Sequence, residues 1–356
     1  MSPRPRVANK DLQFGRAFSD HLLEIDWDEK TGWHDPVIKP YGDFHISPAA
    51  TVLHYGIECF EGMKAYKDQQ GAVRLFRPDC NMQRFNFSME RLAMPPIDGE
   101  ALTECIKKLL RQDASWVPEG DGYSMYLRPT AIGTSAFLGV HVSENVKVYV
   151  IMSPVGPYYK NGFVPIKLLA DTENIRAWPG GVGNAKVGGN YGPTIAPSRK
   201  AALQGCSQVL WLFGDDHQVT EVGAMNIFFC LRNPKDGSLE LTTAPLTRGD
   251  ILPGVTRRSI LDLARSWGHL SGQKVTVSER WLTMPEVARA AKEGNLVEAF
   301  GAGTAVVISP VRSILYQGID IVVPTGDTAG PMAAKLWKDL TDIQYGRIEH
   351  PWSVKV

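Results

Sequence analysis

Hydrophobic and polar positions change period several times along this chain, and each change marks an element. Alternation between Leu22 and Tyr41, broken at Glu29-Lys30-Thr31-Gly32, predicts a hairpin, and Val73-Arg74-Leu75-Phe76 predicts a strand. Helical spacing follows over 79–92 and 100–112, then strands over 124–128 and 146–152. Ser153-Pro154-Val155-Gly156-Pro157-Tyr158-Tyr159-Lys160-Asn161-Gly162 breaks the pattern with proline and glycine and is the linker candidate. Beyond it come a strand over 164–170, a glycine-rich loop, and a helix over 196–203 that Gly205 ends. Strand pairs then turn at Gly214-Asp215-Asp216 and at Pro234-Lys235-Asp236-Gly237. Ile260, Leu263, Ala264 and Trp267 recur at helical spacing in a segment opening near Val255. Thr283-Met284-Pro285-Glu286 fits a capping box for a helix running to Gly294, and Met332, Leu336, Leu340 and Ile343 share one face of a last helix. The reading is an α+β N-terminal domain at 1–157, a linker at 158–165 and a C-terminal domain at 166–356, with no internal repeat.

Composition narrows what such a chain can be. Its 356 residues exceed the usual size of a single core, and 44% hydrophobic residues suffice for two. Lys plus Arg (38) balances Asp plus Glu (38), which gives no electrostatic reason to expect nucleic acid or an anionic membrane as partner. No apolar run approaches the roughly 20 residues of a membrane span, and the first residues carry no apolar signal core. The expectation is a soluble, cytoplasmic protein, with a mitochondrial location left open. Cys59, Cys80, Cys105, Cys206 and Cys230 are widely spaced and form no C-x-x-C, so neither a disulfide framework nor a metal site is expected.

The candidate chemistry centres on Arg176-Ala177-Trp178-Pro179-Gly180-Gly181-Val182-Gly183-Asn184-Ala185-Lys186-Val187-Gly188-Gly189-Asn190-Tyr191-Gly192. A lysine in a largely uncharged, glycine-rich run is poorly placed as a solvated surface charge, and the glycines let backbone approach a bulky ligand. A phosphate loop of the G-x-x-x-x-G-K-[ST] type fails here, because Ala185 and Val187 stand where Gly and a hydroxyl residue belong. A Schiff base between Lys186 and a carbonyl cofactor such as pyridoxal phosphate fits better, while a loop with an incidental lysine fits the same residues. Glu221 is a lone carboxylate in a small and apolar run before the strand-like Ile227-Phe228-Phe229-Cys230. Buried, it needs a partner, and a protonated pyridine nitrogen is one. A helix opening near Val255 would aim free N–H groups and the Thr256 hydroxyl at an anion, and the Gly301-Ala302-Gly303-Thr304-Ala305 turn could add donors.

Several segments then carry a resemblance. They are Phe14-Gly15-Arg16-Ala17-Phe18-Ser19-Asp20-His21, Leu53-His54-Tyr55, Phe60-Glu61-Gly62-Met63-Lys64-Ala65, Arg77-Pro78 with Asn81-Met82-Gln83-Arg84, and Tyr126-Leu127-Arg128-Pro129. Together with the Lys186 loop, Glu221-Val222-Gly223, Leu252-Pro253-Gly254 and Gly303-Thr304-Ala305, they occur in the order of the branched-chain amino acid aminotransferases. The chain resembles these fold-type IV pyridoxal phosphate enzymes over nearly its whole length. The resemblance implies a small N-terminal α/β domain and a larger C-terminal, cofactor-binding domain of the D-amino acid aminotransferase-like kind. It implies ping-pong transamination of L-leucine, L-isoleucine and L-valine with 2-oxoglutarate.

By the same resemblance Lys186 is the Schiff-base lysine and proton shuttle. Glu221 pairs the pyridine nitrogen and Tyr191 the ring oxygen. Arg84, Val255, Thr256 and Thr304 hold the phosphate, with Leu252, Gly254 and Gly303 in the cofactor turns. Phe14, Tyr55, Phe60, Tyr126, Tyr158 and Ala224 line the substrate pocket of a homodimer, completed by Val140 from the neighbouring subunit. Thr304 and Ala305 offer N–H groups to the α-carboxylate, and Arg128 with Tyr126 offers donors to the distal carboxylate of glutamate. Two departures stand out: Ala224 replaces the usual hydroxyl residue three positions after the carboxylate, and Val306-Val307-Ile308-Ser309 lacks the C-x-x-C of some vertebrate relatives. A D-amino acid or broad amine transaminase is the rival on the same fold, and a non-catalytic binding protein the rival from another class.

Overall fold

The structure, a computed structural model, describes residues 6–157 and 163–356. Residues up to 157 form one compact unit with Ala185–Gly189 and Asp342–Val356, and the other described residues, 163–184 and Asn190–Thr341, form a second of nearly equal length. The division near residue 158 follows chain order except for Ala185–Gly189 and Asp342–Val356, which return to the first unit. The expected linker falls in part on 158–162, outside the described residues, and Ser153, Pro154 and Val155 end a strand rather than open a linker. Hydrogen-bonded pairing overrides chain order here. Ser353–Lys355 pairs antiparallel with Val73–Phe76, and Val187 bridges to Cys59.

The first unit is built on an antiparallel sheet of nine strands. Along its main path run Ser353–Lys355, Val73–Phe76, Met63–Lys67, Ser124–Gly133, Asn145–Val155, His21–Asp28 and Gly32–Trp33, with Val37–Pro40 and Glu58–Phe60 paired off the path. The predicted hairpin is present, its turn closed by Asp28 Oδ1 accepting the N–H groups of Lys30 and Thr31 at 2.9 and 3.0 Å. Ser124–Gly133 is buried at all but one position, so it runs past the alternating stretch that the sequence pattern marks. Helix Pro78–Arg91 begins at Arg77, which takes a left-handed φ of 46° and stacks its guanidinium 4.3 Å from the Trp352 ring. Helix Gly99–Gln112 starts where Asp98 accepts the Glu100 and Ala101 N–H groups, and it buries Leu102, Ile106, Leu109 and Leu110 at helical spacing.

In the second unit, six strands close a ring by pairing. They are Gln218–Val222, Gln208–Phe213, Ile166–Asp171, Val307–Tyr316, Leu296–Gly303 and Met225–Arg232, the last pairing back to the first. The run Val209-Leu210-Trp211-Leu212 is buried on both faces, so its alternate residues serve two cores. Leu210 and Leu212 join Leu168, Val222, Ile227, Phe229 and Val311, while Val209 and Trp211 pack with Ala201 and Cys206 under helix Ile195–Leu203. Helix Met284–Lys292 is capped by the Thr283 hydroxyl, which accepts the Glu286 N–H at 3.3 Å. The Glu286 carboxylate goes to Arg280 at 2.8 Å instead of back to the cap, so only half of the expected capping box forms. The last helix, Pro331–Gln344, buries Met332, Leu336, Leu340 and Ile343 as its spacing predicts.

Candidate active site

Lys186 is strapped to the first unit at both ends of its peptide. Its N–H donates to Ser88 Oγ at 2.8 Å, and its carbonyl accepts from Phe60 N at 3.0 Å. Ser88 in turn donates to the Arg84 carbonyl at 2.9 Å, so the helix that carries Arg84 also fixes the lysine. Gly188 packs closely on the Glu58 carboxylate, which would have to move to admit a Cβ there. The Lys186 ammonium lies 4.8 Å from the centre of the Phe60 ring. Burial first and the Arg84 charge second push its pKa down to about 8, with Glu61 and Tyr126 opposing and Arg128 adding.

Arg84 is 7% exposed and grips Glu61 sideways: Nε meets Oε1 at 2.6 Å and Nη2 meets Oε2 at 2.8 Å. Glu61 is fully buried and also accepts from Asn81 Nδ2 at 2.7 Å and from Gly62 N at 3.1 Å. The sequence reading gives no role to Glu61 or Asn81. The test applied to Glu221, a lone carboxylate in a small and apolar run, flags Glu61 equally within Cys59-Phe60-Glu61-Gly62-Met63.

Aromatic residues gather around Arg128. Its guanidinium lies 4.6 Å from the Phe60 ring centre, and Nη2 donates to the Tyr126 hydroxyl at 3.1 Å. Its Nε is buried without a hydrogen bond. Phe14 meets Tyr126 edge to face at 4.8 Å. Gly62 has no room for a Cβ beside the Tyr126 hydroxyl, so a glycine there leaves the ring its space. Glu58 titrates above its ordinary value because burial outweighs the attraction of Arg128. Tyr55 and Val140 are exposed, Val140 at 78% in a loop whose Leu138 and Val142 are exposed too. Tyr158 lies outside the described residues.

The second unit assembles a different cluster around Glu221, which is 3% exposed on strand Gln218–Val222. Its carboxylate forms an ion pair with Arg176 and accepts from Asn226 Nδ2 at 2.9 Å and Leu252 N at 3.1 Å. The sequence reading assigns no role to Arg176 or Asn226, since these pairings arise only when separate segments meet. Asn226 also donates to the Leu252 carbonyl at 3.0 Å, and its Oδ1 fills the space a Cβ on Gly254 would need. The carboxylate is thereby tied to the turn that opens helix Val255–Trp267. No side chain caps that helix start, where Val255 and Thr256 are buried. Tyr191 is half-buried just ahead of a short 3-10 turn. Gly303, Thr304 and Ala305 form the half-buried link between Leu296–Gly303 and Val307–Tyr316, after which Val307 holds a left-handed φ of 65°. A branched residue there stores about 1–3 kcal/mol of strain. Ala224 is exposed in the turn that joins Gln218–Val222 to Met225–Arg232. Among the described residues no three metal-ligating side chains gather, and no helix is long and apolar enough to cross a membrane.

Residues 58–314 match the family model for amino-transferase class IV. The chain is 51% identical to the branched-chain-amino-acid aminotransferase of Monosiga brevicollis over 99% of its length and 88% of that protein. It is 50% identical to that of Dictyostelium discoideum over 97% of its length and 90% of that protein. Relatives at similar identity include proteins named as cytosolic and as mitochondrial. Among solved structures, the T.th. branched-chain amino acid aminotransferase with pyridoxamine 5′-phosphate is similar at a TM-score of 0.71 and 27% identity, covering 93% of this chain and 97% of that one. The same T.th. protein has also been solved with 4-methylvaleric acid and with N-(5′-phosphopyridoxyl)-L-glutamate. The chain therefore belongs to the class IV aminotransferases and, within them, to the branched-chain-amino-acid aminotransferases. It is an enzyme that transfers amino groups of branched-chain amino acids.

Proposed function

We propose that this enzyme transaminates L-leucine, L-isoleucine and L-valine with 2-oxoglutarate, using pyridoxal 5′-phosphate and Lys186. The observation that carries the reading is the environment of Lys186. A lysine fixed at both ends of its peptide, and lowered to about 8, carries a far larger unprotonated fraction near neutral pH than a free lysine does. Such an amine can hold a carbonyl cofactor, then take the proton from the substrate Cα and deliver it elsewhere. The rest of the donor set fits the cofactor in kind. Arg84 and the uncapped start of Val255–Trp267, with the Thr256 hydroxyl, suit a phosphate, and the Thr304 side chain adds to them. Glu221 suits a protonated ring nitrogen and Tyr191 the ring oxygen, while Leu252, Gly254 and Gly303 shape the turns. When bound, pyridoxal 5′-phosphate supplies the electron sink for charge that develops at Cα.

Phe14, Tyr55, Phe60, Tyr126, Tyr158 and Ala224 bind an aliphatic side chain in this reading. The Thr304 and Ala305 N–H groups receive the α-carboxylate, and Arg128, whose Nε lacks a partner, receives the distal carboxylate of glutamate. The exposed apolar loop bearing Leu138, Val140 and Val142 supports a homodimer in which Val140 completes the pocket of a second copy. The test is the visible spectrum of the purified protein before and after L-leucine without any 2-oxo acid. A yellow band that bleaches is expected. A band that persists with leucine and bleaches with D-alanine would overturn the substrate reading, and no band after added pyridoxal 5′-phosphate would overturn the cofactor reading.

A further inference from the structure

Glu61 is a fully buried carboxylate with no part in the chemistry described so far. It occupies the Nε–Nη2 edge of Arg84 and is itself held by Asn81 Nδ2 and by Gly62 N. An arginine fork has five N–H donors in a fixed plane, so a carboxylate clamped on one edge fixes where the remaining donors point. Asn81 lies one turn before Arg84 on helix Pro78–Arg91, so one element presents both the arginine and the amide that steadies its counter-charge. The opposite end of Glu61 is anchored as well, its N–H donating to the Pro129 carbonyl at 2.8 Å on the central strand Ser124–Gly133. The clamp therefore refers the arginine to the rigid centre of the sheet. Ser88, one further turn along the same helix, refers the Lys186 peptide to the Arg84 carbonyl.

From this geometry we infer that Glu61 is a positioning residue, which with Asn81 holds the Arg84 guanidinium in the orientation that selects a phosphorylated cofactor over its unphosphorylated form. The inference rests on the reading of Arg84 as phosphate anchor. Charge and orientation act in opposite senses here, because removing the Glu61 charge would leave Arg84 a stronger attractor for any anion. The test must therefore keep the charge and disturb the geometry. Glu61→Asp retains the anion but withdraws it by one methylene, which prevents it from meeting Nε and Nη2 together. Asn81→Ala leaves both charges and loosens the carboxylate.

The measurement is the preference of the cofactor-stripped, full-length chain for pyridoxal 5′-phosphate over pyridoxal, as the ratio of their dissociation constants read from the visible band. A structural role alone would weaken both ligands alike and leave the ratio unchanged. The expected result is a fall of about tenfold in Glu61→Asp and a smaller fall in Asn81→Ala, with Arg84→Lys falling at least as far as Glu61→Asp. If Arg84→Lys falls while Glu61→Asp and Asn81→Ala keep the native ratio, the positioning role is overturned and the phosphate anchor stands. If Arg84→Lys also keeps the native ratio, the anchor itself is wrong and the inference goes with it. Should Glu61→Asp fail to fold, Asn81→Ala decides the matter by the same ratio.

Discussion

Each unit buries one glutamate against one arginine and one asparagine, and the two triads are put to opposite uses. In the first, Arg84 is the group read as meeting a ligand, and Glu61 with Asn81 aims it. In the second, Glu221 is the group read as meeting a ligand, and Arg176 with Asn226 steadies it. A buried ion pair seldom adds much stability over a well-packed apolar pair, but breaking one is expensive. The same three residue types thus make a held cation in one place and a held anion in another, and the surrounding donors decide which. Arg84, Asn81 and Gly62 N hold Glu61, while Arg176, Asn226 and Leu252 N hold Glu221 at the turn that leads to an uncapped helix start.

The largest test removes either carboxylate outright. Glu61→Ala and Glu221→Ala should each destabilise the cofactor-stripped protein by about 3–5 kcal/mol in urea unfolding, because each strands a buried arginine. A loss under about 1 kcal/mol for either would mean that its arginine finds water, and the triads would not be equivalent even as structure.

The next test separates their uses. Glu221→Gln should slow the leucine half-reaction by roughly 10²- to 10³-fold, since it withdraws a charge that matters most in the transition state, while leaving the preference for phosphorylated cofactor intact. Glu61→Asp should do the reverse, and equal behaviour of the two variants would mean that the two triads serve one use.

A third test uses pH. Burial and Arg84 hold the folded Lys186 ammonium at about 8, below its unfolded value near 10.4. The unfolded chain binds more protons between those values, so the penalty is full below about pH 8 and fades as pH rises toward 10.4. Lys186→Met should therefore stabilise the cofactor-stripped protein by about 3 kcal/mol at pH 7 and by almost nothing near pH 10.5, followed as the melting temperature. A gain that does not change with pH would show packing, not charge, at work.

The smallest effect is expected at Ala224, three residues beyond Glu221. Ala224→Thr should change kcat/KM by a few-fold and unequally among leucine, isoleucine and valine. Unchanged kinetics on all three would remove any meaning from the missing hydroxyl.

Elements with strong local signals were legible in the sequence: Val73–Phe76 by composition, helix Pro78–Arg91 by spacing, and Val255–Trp267 by its Pro-Gly lead and apolar repeat. Strands Glu58–Phe60 and Met63–Lys67 were not, because Glu58, Glu61 and Lys64 break any alternation, Glu61 and Lys64 being buried in the fold and Glu58 half-buried. Ser353–Lys355 is too short to carry a pattern. The site divides in the same way. Lys186 and Glu221 stand out in their local composition, whereas Arg176 sits far along the chain from Glu221, and nothing near it in sequence announces the pairing.

The late joining of Ser353–Lys355 to Val73–Phe76, and of Trp352 to Arg77, bears on how the chain is made. The first unit lacks an edge strand and the stacking partner at the start of its Arg84 helix until residues 352–355 leave the ribosome. Contacts of such long sequence separation form slowly, and an unpaired edge invites aggregation meanwhile. Nascent chains stalled before residue 352 should accordingly be protease-sensitive around Pro78–Arg91, and clipping that strand away after synthesis would loosen the same helix from its far end.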